Sequence, residues 1–259
     1  MAAVENGSGA DAPRWVEFAE IDNVRDLGGL PVRGGGTTRR GVVYRASTPQ
    51  QATAADVEVL VDGLRLRTVI DLRSRQESAV EGHGLLASAA VHRVNLPVRT
   101  PRPQSADAVP QRSGGDLVDF YRALLAGSGE TLTGAARIVA DGERHAVVFH
   151  CAVGKDRTGV LAALLLDAVG VPADAVAADY ALTAQRVARI RARLATLPSY
   201  RQLTASGRRY LVADAEVMLR FLEILHSDFG GGAEWLLRHG LTPAELDGLT
   251  AALVLPAGG

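Results

Sequence analysis

The sequence has one cysteine, one lysine and no long uninterrupted apolar run among its 259 residues. A single cysteine excludes an internal disulfide and is typical of proteins in a reducing compartment. No apolar segment approaches the ~20 residues of a membrane-spanning helix, so we expect no integral membrane association. The net charge of −1 gives no indication of a nucleic-acid partner. Together these features predict a cytoplasmic protein.

The N-terminal segment lacks the basic and apolar regions of a secretory signal peptide. Residues 1–13 are rich in Ala, Gly and Ser, and we predict that they form a disordered tail. With 47% apolar residues overall, the rest of the chain is long enough to bury a sizeable core. We therefore predict a single domain over residues 14–259.

Hydrophobic periodicity predicts an α/β fold, in which short apolar runs alternate with helical patterns. Strands are expected at Trp15–Ile21, Gly41–Ala46, Arg67–Leu72, Val91–Leu96 and Ala146–Phe149. Pro97 to Gly115 is rich in proline and is expected to be a long exposed loop. Helices are expected from Thr53 to near Gly63 and at Asp116–Leu125, Thr131–Val139, Val160–Leu166, Ala173–Leu197, Val212–Leu225, Ala233–His239 and Pro243–Val254.

The most informative stretch is the loop that joins the strand ending at Phe149 to the helix that includes Val160. A short loop between a buried strand and a helix N-terminus directs several backbone N–H groups at one point, where the helix dipole adds positive potential. Such a loop is suited to a dianionic phosphate. Its candidate phosphate-binding residues are Ala152, Val153, Gly154, Lys155, Asp156 and Arg157.

Cys151 opens this loop and Arg157 follows six positions later. Helix N-termini and nearby cations lower the pKa of a cysteine thiol from ~8.5 to roughly 3.5–7.5, so we expect a thiolate nucleophile at Cys151. Arg157 offers paired donors that match two phosphoryl oxygens. Thr158 can hydrogen-bond the sulfur. The single lysine, Lys155, lies in the same loop, which makes a buried inert cysteine the weaker interpretation.

The segment His150-Cys151-x-x-Gly154-Lys155-Asp156-Arg157-Thr158-Gly159 resembles the signature loop of the protein tyrosine phosphatase superfamily, in the form found in its atypical bacterial branch. That branch includes tyrosine, dual-specificity and phosphoinositide phosphatases. Similar motifs occur in the family's order at Asn23–Gly29, Val43–Ser47 and Thr68–Ser74.

The resemblance implies a central, mostly parallel sheet flanked by helices, with a helical C-terminal lid over residues 173–230. It also implies a phosphocysteine intermediate and no cofactor. His150 is expected to order the loop.

The acid that protonates the leaving group is left open between Asp71 and Asp156. The Trp-Pro-Asp loop of many superfamily members is absent. Asp71 ends a predicted strand, where ligands gather in open α/β sheets. Asp156 lies in the loop, although its cationic neighbours disfavour the protonated form.

Three further groups of charged residues have structural and functional interpretations. For Arg25 and Asp26 we favour a mutual ion pair over substrate contact, and the resemblance adds Arg45 as a supporting residue. For Arg73, Arg75 and Glu77 we favour an ion-pair cluster at a helix start. The arginines at 186, 189 and 193 share a helix face that is either solvated or part of the lid.

The predicted partners are phosphotyrosine-containing proteins or other phosphomonoesters. Phosphoinositides are an alternative, in which Lys155 and the three arginines of the helix face would bind additional phosphates. A phosphoprotein-binding module that has lost catalysis and a sulfurtransferase are weaker alternatives. The other five histidines show no metal-ligand spacing, so no metal is expected.

Overall fold

The computed structural model describes residues 14–101, 117–201 and 213–257. The predicted tail at residues 1–13 and most of the predicted proline-rich loop lie outside these ranges. The strands are β1 (Arg25–Asp26), β2 (Thr37–Thr38), β3 (Val43–Ala46), β4 (Thr68–Asp71), β5 (His92–Asn95), β6 (Val147–His150) and β7 (Val254–Leu255).

Five of these strands form the central sheet in the order β1-β3-β6-β4-β5. β1 pairs with β3 in the antiparallel sense, and all other neighbours in this sheet are parallel. β2 and β7 form a separate two-stranded ribbon. The predicted α/β class with a mostly parallel sheet is confirmed.

The helices flank this sheet and account for most of the C-terminal half. They are α1 (Ala54–Glu58), α2 (Arg75–Glu81), α3 (Leu117–Gly127), α4 (Gly129–Ala140), α5 (Asp156–Ala168), α6 (Ala173–Ala181), α7 (Val187–Leu194), α8 (Ala215–Phe229), α9 (Gly232–Arg238) and α10 (Pro243–Leu253). Short 3₁₀ turns at Leu182–Arg186 and Pro198–Tyr200 flank α7 on its two sides.

Separate apolar clusters cover the two faces of the sheet. The larger one packs α3 to α6 and α8 to α10 around Phe149, Leu161 and Leu165, which are fully buried. The smaller one packs Leu60 and Leu64 against Val69 and Val148. Because β6 is central and carries residues of both clusters, its C-terminal end is held in a fixed position.

Two predicted elements are wrong. Residues 15–21 form only an isolated bridge at Trp15, because the N–H groups of Ala19 and Glu20 bind the carboxylate of Asp56 instead of a strand. The predicted single helix Ala173–Leu197 is divided into α6, a 3₁₀ turn and α7. Within that turn, the hydroxyl of Thr183 accepts hydrogen bonds from the distant N-terminal part of the chain, so tertiary contacts override helical propensity.

Candidate active site

The loop after β6 leaves the sheet at the edge where three parallel strands end together. Ala46 of β3 and Asp71 of β4 both lie in register with His150 of β6. Residues that follow these strands therefore converge around residues 151–155, which we call the phosphate loop. This is the carboxyl edge at which open α/β sheets hold their ligands.

Cys151 begins the phosphate loop and is 2% exposed. The backbone N–H of Gly154 donates to Cys151 Sγ over 3.3 Å, and α5 begins at Asp156. Gly154 has a φ of 74°, and a Cβ added there would lie 2.4 Å from the carbonyl oxygen of Ala46. Only glycine therefore fits this turn. The predicted strand–loop–helix arrangement is present, and the positive end of the α5 dipole lies five residues after Cys151 in the chain.

Arg157 is held by Glu77 of α2. Arg157 Nη1 donates to Glu77 Oε2 over 2.7 Å, and Nη2 donates to Oε1 over 2.9 Å. Burial alone would lower the pKa of Arg157, but the hydrogen bonds that Arg157 donates to Glu77 and the nearby sulfur of Cys151 raise this pKa above its ordinary value. The guanidinium is thus fixed as a cation beside the phosphate loop, with its fork oriented by a carboxylate.

Glu77 is a site residue that the sequence analysis assigned only to an ion-pair cluster. In the structure it also forms a capping box with Ser74, whose backbone N–H donates to Glu77 Oε2 over 2.8 Å. Burial would raise the pKa of Glu77, but Arg157 and the N–H of Ser74 lower it to about 2. The Ser-x-x-Glu pattern that follows β4 in the sequence is typical of a capping box, so it could have predicted the contact between Glu77 and Ser74. The predicted cluster is wrong, because Arg73 binds Asp71 while Glu77 binds Arg157.

Asp71 lies at the predicted place, beside the phosphate loop, but its carboxylate is fully engaged. Arg73 donates from Nε and Nη2, the latter over 2.8 Å, and Ser78 Oγ donates over 2.9 Å. Burial would raise the pKa of Asp71, whereas His150 and Arg73 hold it well below its ordinary range. These contacts stabilise a carboxylate that has no proton to donate.

Asp156 has a different environment at the first position of α5. Its Oδ1 accepts a hydrogen bond from Tyr121 Oη over 2.8 Å and lies 3.2 Å from Lys155 Nζ. Tyr121 is also hydrogen-bonded to Tyr180, with 2.6 Å between their hydroxyl oxygens. The side chain of Asp156 is 20% exposed, and within the described ranges its Oδ2 makes no hydrogen bond. Tyr121 therefore orients one carboxylate oxygen of Asp156, and the described residues leave the other without a hydrogen bond.

The remaining predicted residues of the phosphate loop are buried. Lys155 is fully buried beside Asp156, so it does not project to the surface. His150 Nδ1 lies 3.2 Å from the carbonyl oxygen of Cys151, and burial lowers its pKa to about 4, which leaves it neutral near pH 7. Thr158 is buried, and its hydroxyl has no hydrogen-bond partner among the described residues, so the predicted bond to the sulfur is absent.

The predicted ion pair between Arg25 and Asp26 is wrong. Arg25 binds the carboxylate of Asp179 on α6, with 3.1 Å between Nε and Oδ1. Asp26 instead accepts from the backbone N–H groups of Gly28 and Gly41. The two residues are neighbours on β1, where successive side chains point to opposite faces of the sheet.

Arg45 joins the phosphate loop to Asp179. Its Nη1 donates to Asp179 Oδ2 over 2.8 Å, and its Nη2 donates to the carbonyl oxygen of Gly154 over 2.8 Å. Arg14 also binds Asp179, so three guanidinium groups share one fully buried carboxylate. Burial would raise the pKa of Asp179, but these cations hold it far below its ordinary value. Asp179 was not identified from the sequence, which offers no local signal for it.

α7 covers the phosphate loop. Ala152 and Val153 pack against Ile190 and Leu194 of α7 and against Tyr200 in the turn that follows. The arginine face of this region is partly exposed, and its side chains form ion pairs. Its three arginines bind acidic residues near the N-terminus: Arg186 contacts Glu17, Arg189 contacts Glu17 and Asp22, and Arg193 contacts Glu20 and Asp22.

The described ranges contain neither a candidate metal site nor a membrane-spanning helix. No cluster of His, Cys, Asp or Glu with a geometry suited to a metal ion occurs there. None of the helices in the same ranges combines the length and the apolar character needed to cross a membrane.

Comparison with known proteins points to one family. A candidate tyrosine-protein phosphatase of Cupriavidus necator is 37% identical over 181 residues, which is 65% of this chain and 63% of that protein. A tyrosine-protein phosphatase of Nostoc commune is 29% identical over 191 residues, which is 68% of this chain and 65% of that protein. The matched part of the chain thus spans just under two thirds of the length of each of these relatives.

A shorter match and a family model complete the comparison. The triple specificity protein phosphatase PtpB of Mycobacterium tuberculosis is 45% identical over 51 residues, which is 20% of this chain and 18% of that protein. The model of the tyrosine phosphatase family matches residues 16–255, which include the phosphate loop, Glu77 and the covering helix α7. The chain therefore belongs to the tyrosine phosphatase family.

Proposed function

We propose that this protein hydrolyses phosphomonoesters, with phosphotyrosine in proteins as the preferred substrate, through a phosphocysteine intermediate. The observation that carries this proposal is the pairing of Glu77 with Arg157 beside Cys151, at the N-terminal end of α5. This arrangement brings together a nucleophilic sulfur, a guanidinium that can donate two hydrogen bonds to one anion, and backbone N–H groups. The family membership and the names of the relatives support it.

In the first step, Cys151 Sγ attacks phosphorus while the bond between phosphorus and the leaving oxygen breaks. Arg157 and the N–H groups of the phosphate loop bind the equatorial oxygens. Asp156 gives its proton to the departing phenolate oxygen, whose pKa of ~10 makes unassisted departure slow. Asp156 is preferred to Asp71 because no described residue binds Asp156 Oδ2, whereas the carboxylate of Asp71 is bound by Arg73 and Ser78.

In the second step, water attacks the phosphorus of the phosphocysteine. Asp156, now a carboxylate, accepts a proton from that water, and the electrons of the phosphorus–sulfur bond return to Cys151. Atoms and charge balance without a metal or an added cofactor. His150, neutral and buried beneath the loop, holds the backbone of Cys151 in place during both steps.

Substrate access requires movement of the helix that covers the site. Cys151 is 2% exposed, and α7 lies on the loop residue next to it. A phosphotyrosine side chain can reach the sulfur only after α7 has been displaced, and lid opening of this kind limits the rate of many enzymes. We therefore propose that the region around α7 acts as a lid.

We favour phosphotyrosine over phosphoinositides as the substrate because the cations that could bind additional phosphates are buried or paired. Lys155 is fully buried, and the arginines at 186, 189 and 193 are bound to acidic residues. These four cations would therefore offer little unneutralised charge to a flat anionic membrane surface. Release of inorganic phosphate from phosphotyrosine peptides, phosphoserine peptides and phosphoinositide vesicles, measured with malachite green, tests this order.

The decisive experiment for catalysis uses p-nitrophenyl phosphate. We expect turnover by the wild type, none by Cys151→Ser, and a loss of about 10²-fold or more in kcat for Arg157→Lys, because a single ammonium cannot bind two oxygens. Equal release by wild type and Cys151→Ser would overturn the proposal. Binding of phosphopeptides by the wild type without turnover would instead favour a binding module.

A further inference from the structure

Three carbonyl groups of the phosphate loop accept hydrogen bonds from residues outside the loop. The carbonyl oxygen of Ala152 accepts a hydrogen bond from the backbone N–H of Thr48 over 3.1 Å. The carbonyl oxygens of Val153 and Gly154 accept from Asn23 Nδ2 over 3.2 Å and 3.1 Å. Three consecutive carbonyl oxygens are therefore held by partners outside the loop.

The direction of a carbonyl determines the direction of the next N–H group. In a planar trans peptide the C=O of one residue and the N–H of the following residue point in opposite directions. Binding of the Val153 carbonyl by Asn23 thus turns the N–H of Gly154 the other way. That N–H does face Cys151 Sγ, at 3.3 Å. The carbonyl of Gly154 likewise sets the direction of the N–H of Lys155.

Asn23 is itself fixed by its surroundings. It is buried, its φ is 60°, and its Oδ1 accepts from Arg25 Nη1 over 2.5 Å. This bond identifies Oδ1 as the acceptor and orients Nδ2 towards the phosphate loop. Asparagine tolerates this left-handed backbone conformation better than most residues. Both the backbone and the amide of Asn23 are therefore arranged for this contact.

We infer that Asn23 is a positioning residue that aims the N–H groups of Gly154 and Lys155 at the oxyanions of the bound phosphoryl group. This inference rests on the proposed function, because it deepens the role of the same site. Asn23 does not reach the reacting atoms through any contact described above. It acts by holding the loop in the conformation that binds an anion before substrate arrives, which removes the need to reorganise the loop during the reaction.

The test compares two substitutions of Asn23 with one control. Asn23→Gly removes the amide and tolerates the positive φ. Asn23→Asp keeps the volume but replaces the donor with an oxygen that faces the carbonyl oxygens of Val153 and Gly154. The control is Thr183→Val, because the hydroxyl of Thr183 accepts from both Asn23 and Arg25 and has no hydrogen bond to the loop. It disturbs the same network without removing a hydrogen bond to the phosphate loop.

The readout is protection of Cys151 from alkylation by iodoacetate in the presence of inorganic phosphate or orthovanadate. We expect the concentration needed for half-protection to rise about tenfold or more in both Asn23 variants and to stay near the wild-type value in Thr183→Val. The alkylation rate without anion reports lid opening in each variant, so a raised half-protection concentration at an unchanged rate without anion reflects weaker anion binding. Thermal unfolding verifies that each variant is folded, and Asn23→Asp provides the test if Asn23→Gly is not.

Wild-type protection in both folded Asn23 variants, or an equal loss in Thr183→Val, would overturn the inference and leave Asn23 with a general structural role. Failure of the proposed function has a different signature. In that case the wild type would release no phosphate from p-nitrophenyl phosphate, while anion protection and its dependence on Asn23 would still be measurable.

Discussion

Replacing Glu77 with glutamine tests the central contact of the site. Glu77→Gln keeps the size of the side chain but removes its charge and one of the two acceptors for Arg157. The cap of α2 is weakened at the same time, because Ser74 N–H donates to Oε2. We expect Arg157 to lose its fixed orientation while the rest of the phosphate loop stays in place.

The expected loss of activity is that of a misaligned oxyanion donor. Removing one such donor reduces kcat by about 10²–10³-fold in well-studied enzymes. Arg157 remains a cation in Glu77→Gln and keeps one acceptor oxygen at position 77, so it retains part of its function. We therefore expect kcat for p-nitrophenyl phosphate to fall by roughly 10- to 100-fold, with orthovanadate inhibition weakened to a similar extent.

The same substitution should change the pH dependence of stability. Arg157 and Ser74 lower the pKa of Glu77 from 4.5 to about 2, which corresponds to about 3 kcal/mol at most. Because the pKa is lower in the folded protein, this stabilisation is fully present above pH ~4.5 and is lost as the pH falls towards 2. The wild type should lose more stability than Glu77→Gln over that interval, as measured by urea unfolding.

The chain provides a matched control for this experiment. Glu245 is also the third residue of a helix, forms a capping box with Thr242, and accepts a hydrogen bond from Arg137 Nε over 3.0 Å. Glu245→Gln therefore removes the same kind of cap and ion pair away from the phosphate loop, and kcat should stay within about twofold of the wild type. If Glu77→Gln also retained wild-type kcat and vanadate affinity, Glu77 would not position Arg157.

Further predictions concern the acid and the cover of the site. Asp156→Asn should make kcat depend more steeply on the leaving-group pKa of aryl phosphates. Asp71→Asn should leave that dependence unchanged and lower the free energy of unfolding by about 3–5 kcal/mol, because Arg73 would stay buried without its charge partner. Tyr121→Phe removes a hydrogen bond to Asp156 and should lower kcat more for phenyl phosphate than for p-nitrophenyl phosphate. Arg193→Ala removes the ion pairs of α7 with Glu20 and Asp22, so alkylation of Cys151 should be faster. Added salt screens the same ion pairs, so it should accelerate alkylation less in this variant than in the wild type.

The phosphate loop could be predicted from the sequence because its chemistry is local. A nucleophile, a glycine, a helix start and an arginine follow one another within seven residues, so their spacing already determines which groups meet. Strands β3, β4 and β6 were predicted for a similar reason, since each is a short apolar run with clear limits. Local patterns of this kind are readable without knowledge of the tertiary fold.

The partners of the charged residues could not be predicted in this way. Arg25 was paired with its sequence neighbour Asp26, but its carboxylate partner, Asp179, lies 154 positions away. Glu77 and Arg157 are likewise 80 positions apart. Burial decides such pairings, because an arginine without an opposite charge is tolerated at the surface but not in the core. A sequence identifies the charges but does not say which of them are buried together.

The phosphate loop makes two kinds of contact: hydrogen bonds that fix its carbonyl groups, and apolar contacts with α7. Loop carbonyls are bound by Thr48, Asn23 and Arg45, and Arg45 is itself held by the buried carboxylate of Asp179. The contacts described for α7 on the loop are instead apolar. Displacement of α7 would therefore break dispersion contacts and the partly exposed ion pairs of its arginines, while these hydrogen bonds stay intact. The phosphate loop can therefore be uncovered with its hydrogen bonds intact, as the proposed movement of α7 as a lid requires.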